Sequence, residues 1–182
     1  TNNYLGKPRN MPTGLKASSS PIQISAAVTE LAANTLVSDQ IDLTLNVLDN
    51  EVFVVTQINL DVDAPDSIAN TSTAVDATIS TTARTTVGSI ADQNVLGSAS
   101  RQIVCNAGMT PDGGIAFDRE DPLFSALEMD YLGIIATNNA FLNLVGTNNG
   151  NVKQVRARIY GYRATASSSV YAALVQSELL SA

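Results

Sequence analysis

The chain of 182 residues contains no His and no Trp, and it has a single Cys, Cys105. Without His, the sequence lacks the usual ligands of zinc sites and the base of Ser-His-Asp and Cys-His catalysis. One Cys excludes an intrachain disulfide framework. Because Cys105 follows the apolar pair Ile103-Val104 and free Cys is usually buried, we expect an inert, packed thiol. The sequence therefore predicts no catalytic metal, no cofactor and no enzymatic turnover.

Aromatic residues form only 5% of the chain and charged residues 15%, whereas apolar residues form 45%. The core must therefore be filled by Val, Ile, Leu and Ala. Lys and Glu are sparse while Ser, Thr, Asn and Val are abundant, which favours strands and turns over exposed helices. No stretch reaches the length of a membrane span, and no charged-then-apolar signal segment opens the chain. The first residue is Thr, which is compatible with removal of an initiator Met or a longer leader.

The net charge of −7 is unevenly distributed along the chain. Residues 1–16 carry Lys7, Arg9 and Lys16 and no acidic residue, so the remainder has a net charge of −10. Three positive charges make only modest, salt-dependent contacts with phosphates, and an acidic body repels a polyanion. We therefore expect weak or no direct nucleic-acid binding.

The chain length fits one domain, since all-β sandwiches often use this many residues without dividing. Residues 1–20 contain two Gly, two Pro and a Ser run, and they show no apolar period. Such a segment would not fold alone. The sequence predicts an extended N-terminal arm over residues 1–20 and a single domain over residues 21–182.

The most informative stretch is residues 40–63. Its first half alternates apolar and polar residues, which indicates a half-buried strand with four inward side chains, Ile41, Leu43, Leu45 and Val47. After Asp49-Asn50, a second run places five apolar residues on one face, interrupted by Thr56: Val52, Val54, Ile58, Leu60 and Val62. We expect a β-hairpin or β-corner whose long strand is buried on both sides at its start and on one side at its end. Leu43, Leu45, Ile58 and Leu60 are the predicted core.

Turn signals separate roughly eight to ten predicted strands. The others lie at residues 22–28, 74–87, 98–105, 115–117, 131–137, 141–145 and 152–166. Asn138-Asn139 is predicted to form a hairpin turn. In the last residues the spacing of apolar side chains changes from that of a strand to that of a helix. It indicates a short helix with Ser168 or Ser169 as its N-cap. This helix must dock on its own sheet or on a neighbour. This order is typical of a sandwich or jelly roll.

Two acidic clusters have alternative interpretations. Asp61, Asp63 and Asp66 offer the oxygen ligands that Ca²⁺ prefers, or they form a solvated strand end. The second cluster surrounds Arg119 and ends before Pro122, and it consists of Asp118, Glu120 and Asp121. It indicates a charged turn, since its four alternating charges partly neutralise each other. Paired carboxylates can also cleave sugars, but a sugar cleft normally has aromatic platforms, and this chain has no Trp and few Tyr.

One basic and aromatic stretch stands out in the predicted last strand. Its basic residues are Lys153, Arg156, Arg158 and Arg163, interleaved with Tyr160 and Tyr162. Cations beside stacking rings are typical of nucleic-acid binding. The same pattern also fits a polar outer sheet face or a subunit contact.

Taken together, the basic Pro-containing arm, the Thr/Val-rich strands, the run VRARIYGYRATAS and the closing VYAALVQSELL helix resemble single jelly-roll coat proteins of small icosahedral viruses, in particular those of environmental and marine sequences. The resemblance implies two facing antiparallel sheets, an arm that reaches neighbouring subunits, and self-assembly into a shell around the viral genome. It implies a location in the virion, with copies of the chain and other virion proteins as partners.

Three classes of function remain open from the sequence. The first is a capsid subunit, the second a secreted β-sandwich binding or adhesion module, and the third a hydrolase on a β scaffold, which the absence of a convergent catalytic set disfavours. Both chain ends carry apolar residues outside the strand pattern. The predicted subunit-contact residues are Tyr4, Leu5, Leu15, Tyr171, Leu174 and Leu179.

Overall fold

The computed structural model describes residues 11–105, 114–120 and 131–181, and within these ranges it is mostly β-sheet. The strands are β1 Leu15–Ala17, β2 Ile22–Thr29, β3 Val37–Asp42, β4 Glu51–Val62, β5 Thr73–Ser80, β6 Val95–Val104, β7 Ile115–Glu120, β8 Gly133–Ile135, β9 Asn139–Thr147 and β10 Gln154–Ala166. One helix follows, α1 Ser168–Leu180. No helix in these ranges is long and apolar enough to cross a bilayer.

The strands form two antiparallel sheets. Sheet A has the order β2-β10-β4-β8, with β1 pairing to the end of β10, and sheet B has the order β3-β9-β5-β6-β7. The pairs are nested along the chain, β2 with β10, β3 with β9, β4 with β8, and β5 with β6, and successive pairs alternate between sheets. This is the winding of a jelly roll, so the predicted jelly-roll β-sandwich with a C-terminal helix is confirmed.

Two apolar clusters fill the fold. The larger lies between the sheets and includes the four predicted core residues, Leu43, Leu45, Ile58 and Leu60. The second cluster lies on the outer face of sheet A, beneath α1, and its buried members are Val52, Val54, Ala136, Tyr162, Ala164 and Ala166. Sheet A is therefore covered on both faces at its α1 end.

One part of the prediction for β4 was wrong, because Val52 and Val54 do not share a face with the apolar residues that follow Thr56. A bulge in the strand explains the difference. Ile58 is opposite Ile159 and Val55 is opposite Gly161, so β4 contains one extra residue, Thr56, between these two pairs. The side chains before Thr56 therefore point to the face opposite to the one that simple alternation predicts. Val54 faces α1, and Val55 faces the other sheet. The predicted burial, on both sides at the start of the strand and on one side at its end, is confirmed.

Gly161 is required at the bulge. A Cβ at this position would lie 2.2 Å from the carbonyl oxygen of Val54 and 2.6 Å from a ring carbon of Phe53. The hydroxyl of Thr56 donates a hydrogen bond to the carbonyl of Tyr160 at 3.1 Å. Side-chain packing and the bulge therefore fix the register of β4 on β10 together.

The connection from β3 to β4 is a corner, not a hairpin. The strand β3 ends at Asp42, in sheet B, although Leu43 and Leu45 beyond it are buried. Asn138 holds this corner, because its carbonyl accepts the N–H of Leu43 at 3.0 Å and its side chain accepts that of Leu45 at 2.6 Å. The hairpin predicted at Asn138-Asn139 is also wrong, since β8 and β9 belong to different sheets.

Four further expectations need correction. The strand predicted through Val87 ends at Ser80, because residues 81–94 fold back over sheet B, where Thr78 donates a hydrogen bond to the carbonyl of Val87. The N-cap of α1 is Ser167, and its side chain makes no capping hydrogen bond. Cys105 is half-buried instead of packed in a core. The charged turn predicted before Pro122 is also wrong for Asp118, Arg119 and Glu120, which continue β7, while Asp121 and Pro122 lie outside the described residues.

Candidate subunit-contact surface

The helix α1 carries apolar residues on every side and has no distinct polar face. Glu178 is its one charged residue, and Ser, Gln, Ala and apolar residues form the rest. Val170 and Leu174 pack on the second cluster, which directs one side of α1 at sheet A. A helix that is apolar on all sides is usually buried on all sides. In this chain, however, sheet A covers only one of them.

Glu178 attaches α1 to the end of β8. Its carboxylate accepts hydrogen bonds from the backbone N–H groups of Ala136, at 2.6 Å, and Thr137, at 3.0 Å. The side chain is buried, so the only charge of the helix is withdrawn from solvent. The outward side of α1 is consequently uncharged.

That outward side forms a shallow apolar depression, which we term the helix face. It is lined by Tyr171, Ala172, Val175, Gln176, Leu179 and Leu180. Leu179 is 64% exposed and Leu180 is 79% exposed. This exposed apolar surface is a candidate interaction site.

Residues 11–19 run beside the helix. Met11 packs on the second cluster, and Gly14 adopts φ +84°, where an added Cβ would lie 2.8 Å from Val170. β1 then pairs with Ala164–Ala166, and the N–H groups of Ser18 and Ser19 donate to the carbonyl of Arg163 at 2.8 and 3.3 Å. The second half of the predicted arm is thus bonded to its own domain.

The predicted contact residues have different surroundings. Leu15, Tyr171 and Leu174 are half-buried against the second cluster of their own chain, whereas Leu179 is exposed. Tyr4 and Leu5 lie outside the described residues. Whether any of the six contacts another subunit stays a prediction.

The four basic residues do not share one face. Lys153 is buried, and its ammonium contacts the Asp66 carboxylate at 2.5 Å and the carbonyl of Ala64 at 3.0 Å. Arg163 points to the opposite side of β10 from Arg156, and it donates to the carbonyl of Leu43 at 3.2 Å. Alternation along the strand separates them, so no four-residue basic patch forms.

Arg156 and Arg158 remain on the open outer face of sheet A. Arg156 forms ion pairs with Asp61 at 3.4 Å and Asp63 at 3.2 Å, which offset its charge. Arg158 is exposed, and its guanidinium lies 3.4 Å from the hydroxyl of Tyr160. With neighbouring side chains these arginines line a shallow depression, whose other residues include Ser25, Ala27 and Asn59.

The predicted cation-site carboxylates are likewise divided. Asp61 and Asp63 face Arg156, whereas Asp66 accepts hydrogen bonds from Lys153 and from the N–H groups of Gly150 and Asn151, both at 2.9 Å. The hydrogen bond from Lys153 lowers the pKa of Asp66; desolvation opposes this, and the bonds from Asn151 add to it. In the described part of the chain, no three His, Cys, Asp or Glu side chains are grouped to hold a metal ion.

Two buried glutamates were missed by the sequence analysis. Glu178 holds α1. Glu30 accepts the N–H groups of Gly146 in β9, at 2.7 Å, and of Lys153 directly before β10, at 2.9 Å, and so joins these two segments. Each is the single acidic residue of a mostly apolar or small-residue segment, at positions 26–33 and 170–180. An isolated charge in an apolar segment was the available signal, since buried charges need partners.

No family model matches the sequence, and no curated protein sequence matches it. One similar solved structure is described as Desmodium yellow mottle tymovirus. It has 13% sequence identity and a TM-score of 0.28, and the alignment covers 88% of this chain and 95% of that chain. These values carry no argument about function, and the jelly-roll assignment rests on the strand order described above.

Proposed function

We propose that this protein is a viral coat subunit whose copies assemble into an icosahedral shell around the genome. The observation that carries the proposal is the helix face, an uncharged apolar surface on the outside of a jelly roll, with Leu179 and Leu180 exposed. A subunit that meets its neighbours there would bury them.

The expected gain supports assembly. Complete burial of one Leu side chain stabilises by about 1.5–3 kcal/mol, so a contact on Leu179 and Leu180 supplies several kcal/mol before ordering costs. In a closed shell every subunit makes the same contacts, so one modest surface is used many times. The apolar arm residues Tyr4 and Leu5 are proposed partners of this surface.

The charge distribution supports a structural role with weak or no direct nucleic-acid binding. The ordered cations Lys153 and Arg156 are engaged by Asp66, Asp61 and Asp63. Only Arg158 of the predicted patch is exposed without an ion pair among the described residues. We also propose that the chain has no catalytic activity and no cofactor.

Electron microscopy and light scattering of the purified protein test the proposal. We expect closed particles of megadalton mass. The double variant Leu179→Gln, Leu180→Gln should keep the circular dichroism spectrum and lose most particles, since it makes the helix face polar. Leu31→Gln is the matched control, because Leu31 is 93% exposed in the loop that follows β2, at the other end of β10.

A secreted binding or adhesion module is the second candidate. It is favoured by the open depression on sheet A beside Arg156 and Arg158. This function requires no self-association through the helix face. A stable monomer at micromolar concentration, with no particles, would support it and overturn the shell.

A further inference from the structure

The strand β7 forms an edge of sheet B. It pairs with β6 on one side, and no strand among the described ranges pairs with its other side. All six residues of β7 are exposed. An edge of this kind presents unpaired N–H and C=O groups, which form a template for another strand.

The strand β7 lacks some of the usual protections of an edge strand, although three of its six residues are charged. Its sequence IAFDRE contains no Pro and no Lys, and its pairing with β6 shows no bulge. Ile115 is 51% exposed and Phe117 is 54% exposed. Ile115 lies directly opposite Val104 of β6, itself partly exposed, so an apolar strip continues up to the edge.

The two faces of β7 differ in chemistry. Glu120 pairs with Ala99, which belongs to the core between the sheets, so Glu120, Asp118 and Ala116 lie on the core side. Asp118 is held there by Arg101 at 3.7 Å. The apolar strip, with Ile115 and Phe117, therefore lies on the outer side of sheet B.

We propose that β7 pairs antiparallel with β7 of a second copy, about a two-fold axis at Phe117, and so joins two sheets B into one continuous sheet. Residues that lie opposite each other across such a pair share a face of the sheet. The allowed registers are therefore those that pair odd-numbered residues with odd-numbered ones and even-numbered residues with even-numbered ones. With Phe117 opposite Phe117, the whole strand is paired. The other pairs are Gly114 with Glu120, Ile115 with Arg119, and Ala116 with Asp118.

Charge selects this register. A shift of the axis to Asp118 would oppose two aspartates, and like charges directly opposite destabilise a sheet. A shift to Ala116 would leave Arg119 and Glu120 outside the ladder. The register at Phe117 opposes no like charges, and it places two aromatic rings together, a favourable cross-strand pair.

This contact goes beyond the proposed function and does not rest on it. The helix α1 packs on sheet A, whereas β7 belongs to sheet B. A dimer through β7 is therefore compatible with a shell subunit and with a free module. The symmetry is isologous, which closes the contact at two copies and satisfies both edges at once.

Disulfide trapping tests the register in the full chain, with Cys105→Ser as background. The variant Phe117→Cys places two thiols across the axis, where an added oxidant, copper phenanthroline with oxygen, removes two electrons and two protons to form the bond. Arg119→Cys is the matched control on the same strand and face, because its two copies would lie four residues apart, about 13 Å. Non-reducing electrophoresis measures the dimer.

We expect at least tenfold more cross-linked dimer from Phe117→Cys than from Arg119→Cys. Equal cross-linking of the two variants would overturn the register, and absence of cross-linking in both would overturn the contact. In analytical ultracentrifugation, Phe117→Lys should lower the dimer fraction, since it opposes two cations, whereas Phe117→Tyr should keep it. A dimer fraction unchanged by Phe117→Lys would also overturn the proposal.

Discussion

The Glu178 carboxylate accepts the backbone N–H of Ala136 at 2.6 Å, and this bond joins α1 to sheet A where β8 has ended. The N–H of Ala136 has no ladder partner there, and that of Thr137 is bound by the second carboxylate oxygen. One side chain thus satisfies two backbone donors beyond the strand end. It also removes the single charge of α1 from the outer surface, which leaves the helix face apolar.

Glu178→Ala should destabilise the domain markedly. The change leaves two buried or partly buried N–H groups without an acceptor, and each unsatisfied buried donor costs about 1–3 kcal/mol. Glu178→Gln should cost less, because its amide oxygen still accepts one bond. Urea unfolding of dissociated subunits measures the change, with the exposed Gln176→Ala as control. A loss no larger than that of the control would contradict the assigned role.

Leu60→Ala should lower the free energy of unfolding by about 2–5 kcal/mol, the usual cost of a large-to-small change in a core. Leu60 lies between the two sheets, opposite Ala157. Asn59→Ala is the matched control, since Asn59 is the preceding residue of the same strand and faces solvent. Equal unfolding midpoints for the two variants would show that the face assignment is wrong.

The sequence predicted the sandwich because alternation is a local property, and it failed where the alternation changes phase. Ile58 and Leu60 keep the period of their strand and were placed correctly. Val52 and Val54 lie beyond the bulge at Thr56, and both faces of β4 are apolar there, so no pattern distinguished them. The bulge depends on Gly161, which is over 100 residues away in the chain.

The contact residues were harder to predict for a related reason. An apolar side chain at a chain end gives the same sequence signal whether it packs on its own domain or on a neighbour. Leu15 and Leu174 pack on the second cluster of their own chain, and Leu179 does not. Only the position of α1 on sheet A distinguishes these cases. The sequence pattern likewise gave no sign that Lys153 pairs with Asp66, because 87 residues separate them in the chain.

The Asp66 to Lys153 pair should give acid-dependent stability. The hydrogen bond from Lys153 lowers the pKa of Asp66 in the folded chain below its usual 3.8. A lowered carboxyl pKa adds stability above the unfolded pKa, and this contribution is lost as the pH falls from about 4 through the folded value. At neutral pH, Asp66→Asn should therefore cost about 1–3 kcal/mol, since it weakens bonds to a charged acceptor.

Urea unfolding between pH 7 and pH 2 measures this dependence. The difference between the wild-type chain and Asp66→Asn should shrink as the pH falls below 4, because protonation then removes the same charge from the wild type. Asp39→Asn, at an exposed site in β3, serves as the control and should change the free energy of unfolding little at pH 7. A difference for Asp66→Asn that stays constant over the acid range would show that the charge of Asp66 does not stabilise the fold.

Deletion of residues 1–10 should separate folding from assembly. Met11 packs on the second cluster and β1 pairs with β10, so the described contacts of the N-terminal segment begin at residue 11. We expect the shortened chain to unfold at nearly the same urea concentration as the full chain. It should form fewer particles or particles of altered size, because Tyr4 and Leu5 are the proposed partners of the helix face.

A longer deletion, of residues 1–19, provides the contrast. It also removes Leu15 from the second cluster and the bonds of Ser18 and Ser19 to Arg163, so it should lower the unfolding midpoint as well as assembly. Ordering an arm costs about 1–2 kcal/mol per residue in backbone entropy, so residues 1–10 must gain contacts on another surface if they act in assembly. Shells of normal size and stability from the chain that lacks residues 1–10 would show that these residues form a solvated tail, and the helix face would then need a different partner.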